Sequence, residues 1–135
     1  MKALTRPLTA SEEKTIRCAL KKSWSEKTGA WNPNYPSSNQ CIQTSFAVWL
    51  NFGGEILRTK VITVQGRQID HFYNRIGGQR YDFTEDQFTQ PGYWASVKYD
   101  DDLVDDIDHV KTLVYAELLD NLIEAFNTEL KRLST

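Results

Sequence analysis

The chain lacks most of what would place it in a specialised class. It has 2 cysteines among 135 residues. A disulfide framework is therefore not expected, and a reducing, cytoplasmic setting is the default. No apolar run approaches the roughly 20 residues needed to span a bilayer. Lys2 and Arg6 precede no apolar h-region, so no secretory signal is expected. Charge of one sign is also missing. The net charge is −2, and Lys21, Lys22, Lys27, Arg58, Lys60, Arg67, Arg75 and Arg80 are scattered among acids. That leaves no electrostatic basis for binding nucleic acid. Neither internal repeats nor low-complexity segments occur. A 40% hydrophobic content over this length suits one compact domain, residues 1–135, with a real core.

Helix signals come first. Ser11-Glu12-Glu13 opens a helix of two or three turns ending near Trp24, with Ile16, Ala19, Leu20 and Ser23 at helical spacing. Cys18 within it reads as a small packing residue. A long loop follows over residues 25–40, kept extended by Pro33 and Pro36, and long loops in compact domains are more often functional than not. Residues Cys41 to Phe52 are apolar nearly all round, which marks a centrally buried helix. Gly53-Gly54 terminates it.

The centre of the chain reads as sheet. Glu55 to Val64 and Arg67 to Ile76 form strands around Gln65-Gly66. Gly77-Gly78 is a two-residue hairpin turn, and Gln79 to Thr84 returns. A short helical turn over 85–88 and a strand over 93–99 come next. Val110, Val114, Leu118, Leu122, Phe126 and Leu130 recur every four residues, widened by Leu113 and Leu119, and predict one long final helix. Asp100, Asp101, Asp102, Asp105, Asp106 and Asp108 precede it and suit the positive end of its dipole. They show no Ca²⁺-loop spacing. The fold expected is α+β, a central helix on a small antiparallel sheet, covered by the N- and C-terminal helices.

Three residues then stand out. Cys41 lies where a polar loop enters a helix, and free N–H groups and the helix dipole stabilise a thiolate there. A turn at Gly77-Gly78 pairs Ile76 with Gln79, which puts Tyr73 opposite Asp82 and His71 opposite Thr84. Directly paired residues share a face, so His71 and Asp82 are diagonal neighbours, with Asp70 and Asn74 on the other face. A carboxylate so placed fixes an imidazole's tautomer. Cys41, His71 and Asp82 are thus the candidate catalytic residues. The backbone N–H of Cys41 and the Gln40 amide are candidate oxyanion donors, with Gln43 a weaker alternative. Trp24, Trp31, Tyr35 and Tyr73 are candidate substrate-binding aromatics. Each residue also has a plain structural reading. Cys41 is then an inert buried thiol, His71 is satisfied by Thr84, and Asp82 caps the turn at Glu85. On that view Gln40 caps the helix and the loop aromatics anchor the core. His109 belongs to surface or packing. Too few thiols and no ligand pair at zinc spacing argue against a metal, and no cofactor is implied.

Asn39-Gln40-Cys41-Ile42 resembles the Gly-Gln-Cys-Trp segment of transglutaminase-like and papain-like cysteine proteins. The runs 70–75 and 81–84 resemble their His and Asp-x-Thr strands. Trp31-Asn32-Pro33, Gly53-Gly54-Glu55-Ile56-Leu57, His71 to Arg75 and Asp82 to Phe88 look like the YunG-like family of small bacterial proteins, over about residues 24–90. Ile42 stands where Trp is usual and Asn39 where Gly is expected, and the Cys-to-His interval is shorter than in large transglutaminases. The resemblance implies thiol chemistry on an amide through a covalent acyl-enzyme, with a peptide or amide substrate. Hydrolysis, deamidation and transamidation share that step. An alternative role is a non-catalytic interaction or inhibitor protein on the same scaffold, engaging a protein partner through the acidic 100–108 region.

Overall fold

A computed structural model describes residues 3–100 and 103–134. Helix α1 spans Ala10–Ser23, nearly four turns. Thr9 caps it, its hydroxyl accepting from the Glu12 N–H while the Glu12 carboxylate accepts from the Thr9 N–H. This reciprocal capping box satisfies two end groups that helices otherwise leave unpaired. Ile16, Ala19, Leu20 and Ser23 face inward as their spacing requires. Cys18 does not. It is exposed, a correction to its reading as a packing residue. Two residues past Ile16 on a helix is more than half a turn, which carries Cys18 to the outer face.

Helix α2, Cys41–Phe52, lies at the centre. Ala47 and Val48 enter one apolar cluster with Ile16, Leu20, Leu122 and Phe126. Phe46 enters a second with Ile56, Phe72, Val110 and Leu119, flanked by Cys41, Ile42 and Trp49. The helix is apolar on both sides because it is covered on both sides. Gly53 and Gly54 turn the chain into the sheet. Gly54 has φ +80, and a Cβ there would collide with the Arg75 carbonyl, so only glycine fits this close approach.

Strands β1 (Glu55–Thr63), β2 (Gln68–Ile76), β3 (Gln79–Tyr81), β4 (Trp94–Val97) and β5 (Val104–Asp105) form one antiparallel sheet. Its order is β3-β2-β1-β4, with β5 also pairing with β1. The β2–β3 register pairs Asn74 with Tyr81, Arg75 with Arg80 and Ile76 with Gln79. The ladder then stops, earlier than the expected strand to Thr84. Asp82 leaves it because its Oδ1 accepts from the backbone N–H and hydroxyl of Thr84, an Asx-type bend that competes with strand pairing. A 3-10 helix, Glu85–Thr89, follows.

The expected single final helix is two: α3, Ile107–Lys111, and α4, Ala116–Leu133. Thr112 ends α3, its hydroxyl donating to the His109 carbonyl, and Tyr115 adopts extended geometry (ψ 134) before α4 begins. Thr112, Val114 and Tyr115 all have modest helix propensity. Val110, Leu119, Leu122 and Phe126 are buried, whereas Leu113 is 41% exposed. Of the acidic run, Asp106 caps α3 through the Asp108 N–H, and Asp105 pairs with Arg58 and His109. Asp101 and Asp102 lie outside the described residues. The architecture is a mixed α+β arrangement, with the antiparallel sheet and α1 and α4 gathered around α2.

Candidate active site

The loop before α2 is fixed at both ends. Asn39 holds a left-handed conformation, φ 63, and its Nδ2 donates to the Ala30 carbonyl at 3.0 Å. The Gln40 N–H bonds to the Ser37 carbonyl at 3.1 Å. The Ser37 hydroxyl bonds to the Thr84 carbonyl at 3.0 Å and to the Asp86 carboxylate. The last link ties the start of α2 to the bend that follows β3. Cys41 therefore opens the helix beside the residues around Asp82, partly exposed.

His71 and Asp82 meet in the interior. Nε2 of His71 lies 2.7 Å from Oδ2 of Asp82, and the two residues are 2% and 5% exposed. The Cys41 side chain lies close enough to the imidazole to act on it electrostatically, and both residues line the same cleft. Oδ2 of Asp82 also accepts from the Tyr99 hydroxyl at 2.6 Å, and Oδ1 accepts from Thr84 at 3.1 and 3.2 Å. Both carboxylate oxygens are thus held by donors, which leaves the group no freedom to swing. Around the imidazole, Phe88 packs edge-on at 4.7 Å and Tyr73 stacks at 5.9 Å between centroids. Tyr99 stands edge-on at 6.3 Å, with the Arg80 guanidinium over its own ring at 4.4 Å.

The electrostatics follow from this packing. Burial alone would push the His71 imidazolium to lower pKa, but the hydrogen bond to Asp82, the nearby Cys41 side chain and the Asp82 charge outweigh it, raising His71 to about 9. Burial likewise opposes ionisation of Asp82. Its bonds to His71, Tyr99 and Thr84 prevail and hold its pKa below the usual carboxylate value. Burial and the adjoining Asp82 charge raise the Tyr99 hydroxyl above its ordinary value, so it serves as a donor.

A cleft of about 260 Å³ is lined by Cys41 and His71, by Asn32, Ser38 and Asn39 of the loop, and by Phe88, Gln90, Tyr93 and Trp94. Larger hollows exist elsewhere, such as that between α1 and α4, but they hold neither thiol nor imidazole. A family model described as YunG protein matches residues 12–127. The chain belongs to the YunG family. Its likeness to a Bacillus subtilis (strain 168) protein, described as "Uncharacterized protein YunG", is 39% identity over 77 residues. That alignment covers 56% of this chain and 63% of the relative's length. No solved structure matches the chain.

The other candidates in this YunG-family chain fall in varied places. Gln40 is fully buried, its Oε1 accepting from the Thr28 hydroxyl at 2.8 Å. It makes no side-chain cap bond and does not line the cleft. Gln43 donates to the Thr28 and Asn39 carbonyls, away from the thiol. Trp24 sits in the core, its Nε1 donating to the Thr44 hydroxyl at 2.9 Å. Trp31 is 39% exposed and, like Tyr35, is not among the cleft's lining residues. Tyr73 is buried against the imidazole. Asp70 pairs with Lys60 at 2.9 Å, while Asn74 donates to the Ser45 carbonyl of α2. Sequence reasoning did not single out Tyr99, Phe88 or Asn32 for the site, although Asn32 and Phe88 lie in the segments that carry the family resemblance. No cluster of three or more His, Cys, Asp or Glu able to hold a metal ion occurs among the described residues. No helix among them is long and apolar enough to cross a membrane.

Proposed function

We propose that this YunG-family chain is a cysteine hydrolase or acyltransferase acting on an amide bond, with a papain-like or transglutaminase-like arrangement of its reactive groups. One observation carries this reading: a buried His71–Asp82 pair at 2.7 Å that shares a cleft with the Cys41 thiol, placed at the first residue of α2. The ring pairs with a carboxylate and lies with a partly exposed thiol in the lining of one cleft. That is the nucleophile, base and orienting group of covalent acyl transfer.

Cys41 attacks the carbonyl carbon from the first residue of α2. The imidazolium of His71, held protonated at neutral pH by the pairing described above, gives its proton to the leaving amine. The ring then takes a proton from water or an acceptor amine that releases the acyl group. Asp82 orients the ring throughout. The substrate is a peptide or small amide.

Alkylation by iodoacetamide tests this directly, because Cys18 is an exposed thiol in the same chain and acts as an internal reference. Peptide mass spectrometry should show Cys41 modified first at mildly acidic pH, despite its lesser exposure. Cys18 reacting as fast or faster at every pH would contradict an activated nucleophile.

A further inference from the structure

Attack on a carbonyl needs donors for the oxygen that becomes negative, and the backbone N–H of Cys41 supplies one. The side chains with N–H groups along the cleft, besides His71, are Asn32, Asn39, Gln87, Gln90 and Trp94. Asn39 donates one N–H to the Ala30 carbonyl at 3.0 Å, which turns its carboxamide toward that carbonyl. Gln87 donates to the Thr84 carbonyl and hydroxyl at 3.0 and 3.2 Å, and Trp94 to the Gln87 carbonyl at 3.0 Å. Asn32 differs. Its Oδ1 accepts from the Asn34 N–H at 2.9 Å, an Asx turn at Pro33 that fixes the carboxamide plane. No acceptor for its Nδ2 occurs among the described residues. Gln90 has no such anchor, and it follows the 3-10 helix rather than lying in the loop that runs into Cys41.

We propose that Asn32 is a catalytic residue, its Nδ2–H and the Cys41 backbone N–H together holding the oxyanion of the acyl-transfer intermediate. This rests on the amide-acyl reading above. When the thiolate attacks, a C–S bond forms and the carbonyl π pair moves onto oxygen, where the two N–H groups meet it. Collapse restores the C=O bond and breaks the bond to the leaving group, which departs as an amine after taking a proton from His71. The Asx turn aligns the donor before substrate arrives, so no reorganisation is needed at the moment of reaction.

The test uses two probes that place different demands on the site. p-Nitrophenyl acetate acylates Cys41 through an oxyanion and expels p-nitrophenolate, whereas iodoacetamide alkylates it by displacement without one. Asn32→Ala removes the carboxamide. Asn32→Asp keeps an acceptor for the Asn34 N–H but loses the donor. Both variants should acylate about 100-fold more slowly, the lower end of the range for a lost oxyanion donor, with alkylation within about threefold of wild type. Wild-type acylation rates in both would overturn the assignment. So would equal losses in both reactions, the mark of a displaced loop, or a loss produced instead by Gln90→Ala. A wild-type chain whose Cys41 alkylates readily yet releases no nitrophenolate would overturn the amide-acyl reading itself, and the role of Asn32 with it.

Discussion

Replacing Asp82 by Asn keeps the size of the side chain while removing the charge that holds His71 protonated. The consequence can be worked from the site. His71 has its pKa raised from 6.5 to about 9. A group raised on folding binds its proton more tightly in the native state, so its stabilisation is complete below 6.5 and is lost as pH rises through 9. A rise of this size corresponds to roughly 3 kcal/mol lost over that window, at about 1.4 kcal/mol per pH unit. In the variant the opposing burial and the raising influence of Cys41 remain without the Asp82 partner, so the His71 pKa falls below its wild-type value. The decline across the window should be smaller and should set in at lower pH. Urea unfolding at several pH values measures the slope. NMR titration reads the ring directly, because the chain has 2 histidines and His71→Ala assigns its signal. A wild-type His71 titrating near its ordinary value, or identical slopes in both proteins, would refute the reasoning.

Other outcomes follow from the same contacts. Tyr99→Phe keeps the ring packing but removes the donor to Asp82; it should cost about 1.5–3 kcal/mol by chemical denaturation, the usual range for a hydrogen bond to a charged group. Phe126→Ala empties the core between α1, α2 and α4 and should cost about 3–5 kcal/mol. Gly54→Ala combines positive φ with a clash against the Arg75 carbonyl; thermal unfolding should show a loss above ~1 kcal/mol. Thr9→Ala removes the α1 cap, with an expected loss of about 1 kcal/mol.

Much of the scaffold was legible because its signals are local. Gly53-Gly54 and the polar loop before Cys41 bound α2 at the residues observed. The Gly77-Gly78 turn fixed a register in which Ile76 meets Gln79. The four-residue apolar recurrence misled for a physical reason. Val114 and Leu118 keep the spacing across the break, so the pattern continues where the backbone does not. Asp82 leaves its strand through a bond to Thr84 that period-two alternation does not encode. Tyr99 was out of reach, since it arrives at Asp82 from the segment beyond β4, across the sheet. Gln40 adjoins Cys41 in sequence, but the first turn of α2 directs its side chain to Thr28. Asn32, nine positions earlier, is carried back to the cleft by the loop.

The most direct trial of the account is to incubate the chain with an activated acyl donor and map the adduct by peptide mass spectrometry. An acyl group on Cys41, absent from Cys18 and strongly reduced in His71→Ala, is the predicted result. Acylation shared equally by the two cysteines, or undiminished without the imidazole, would contradict it.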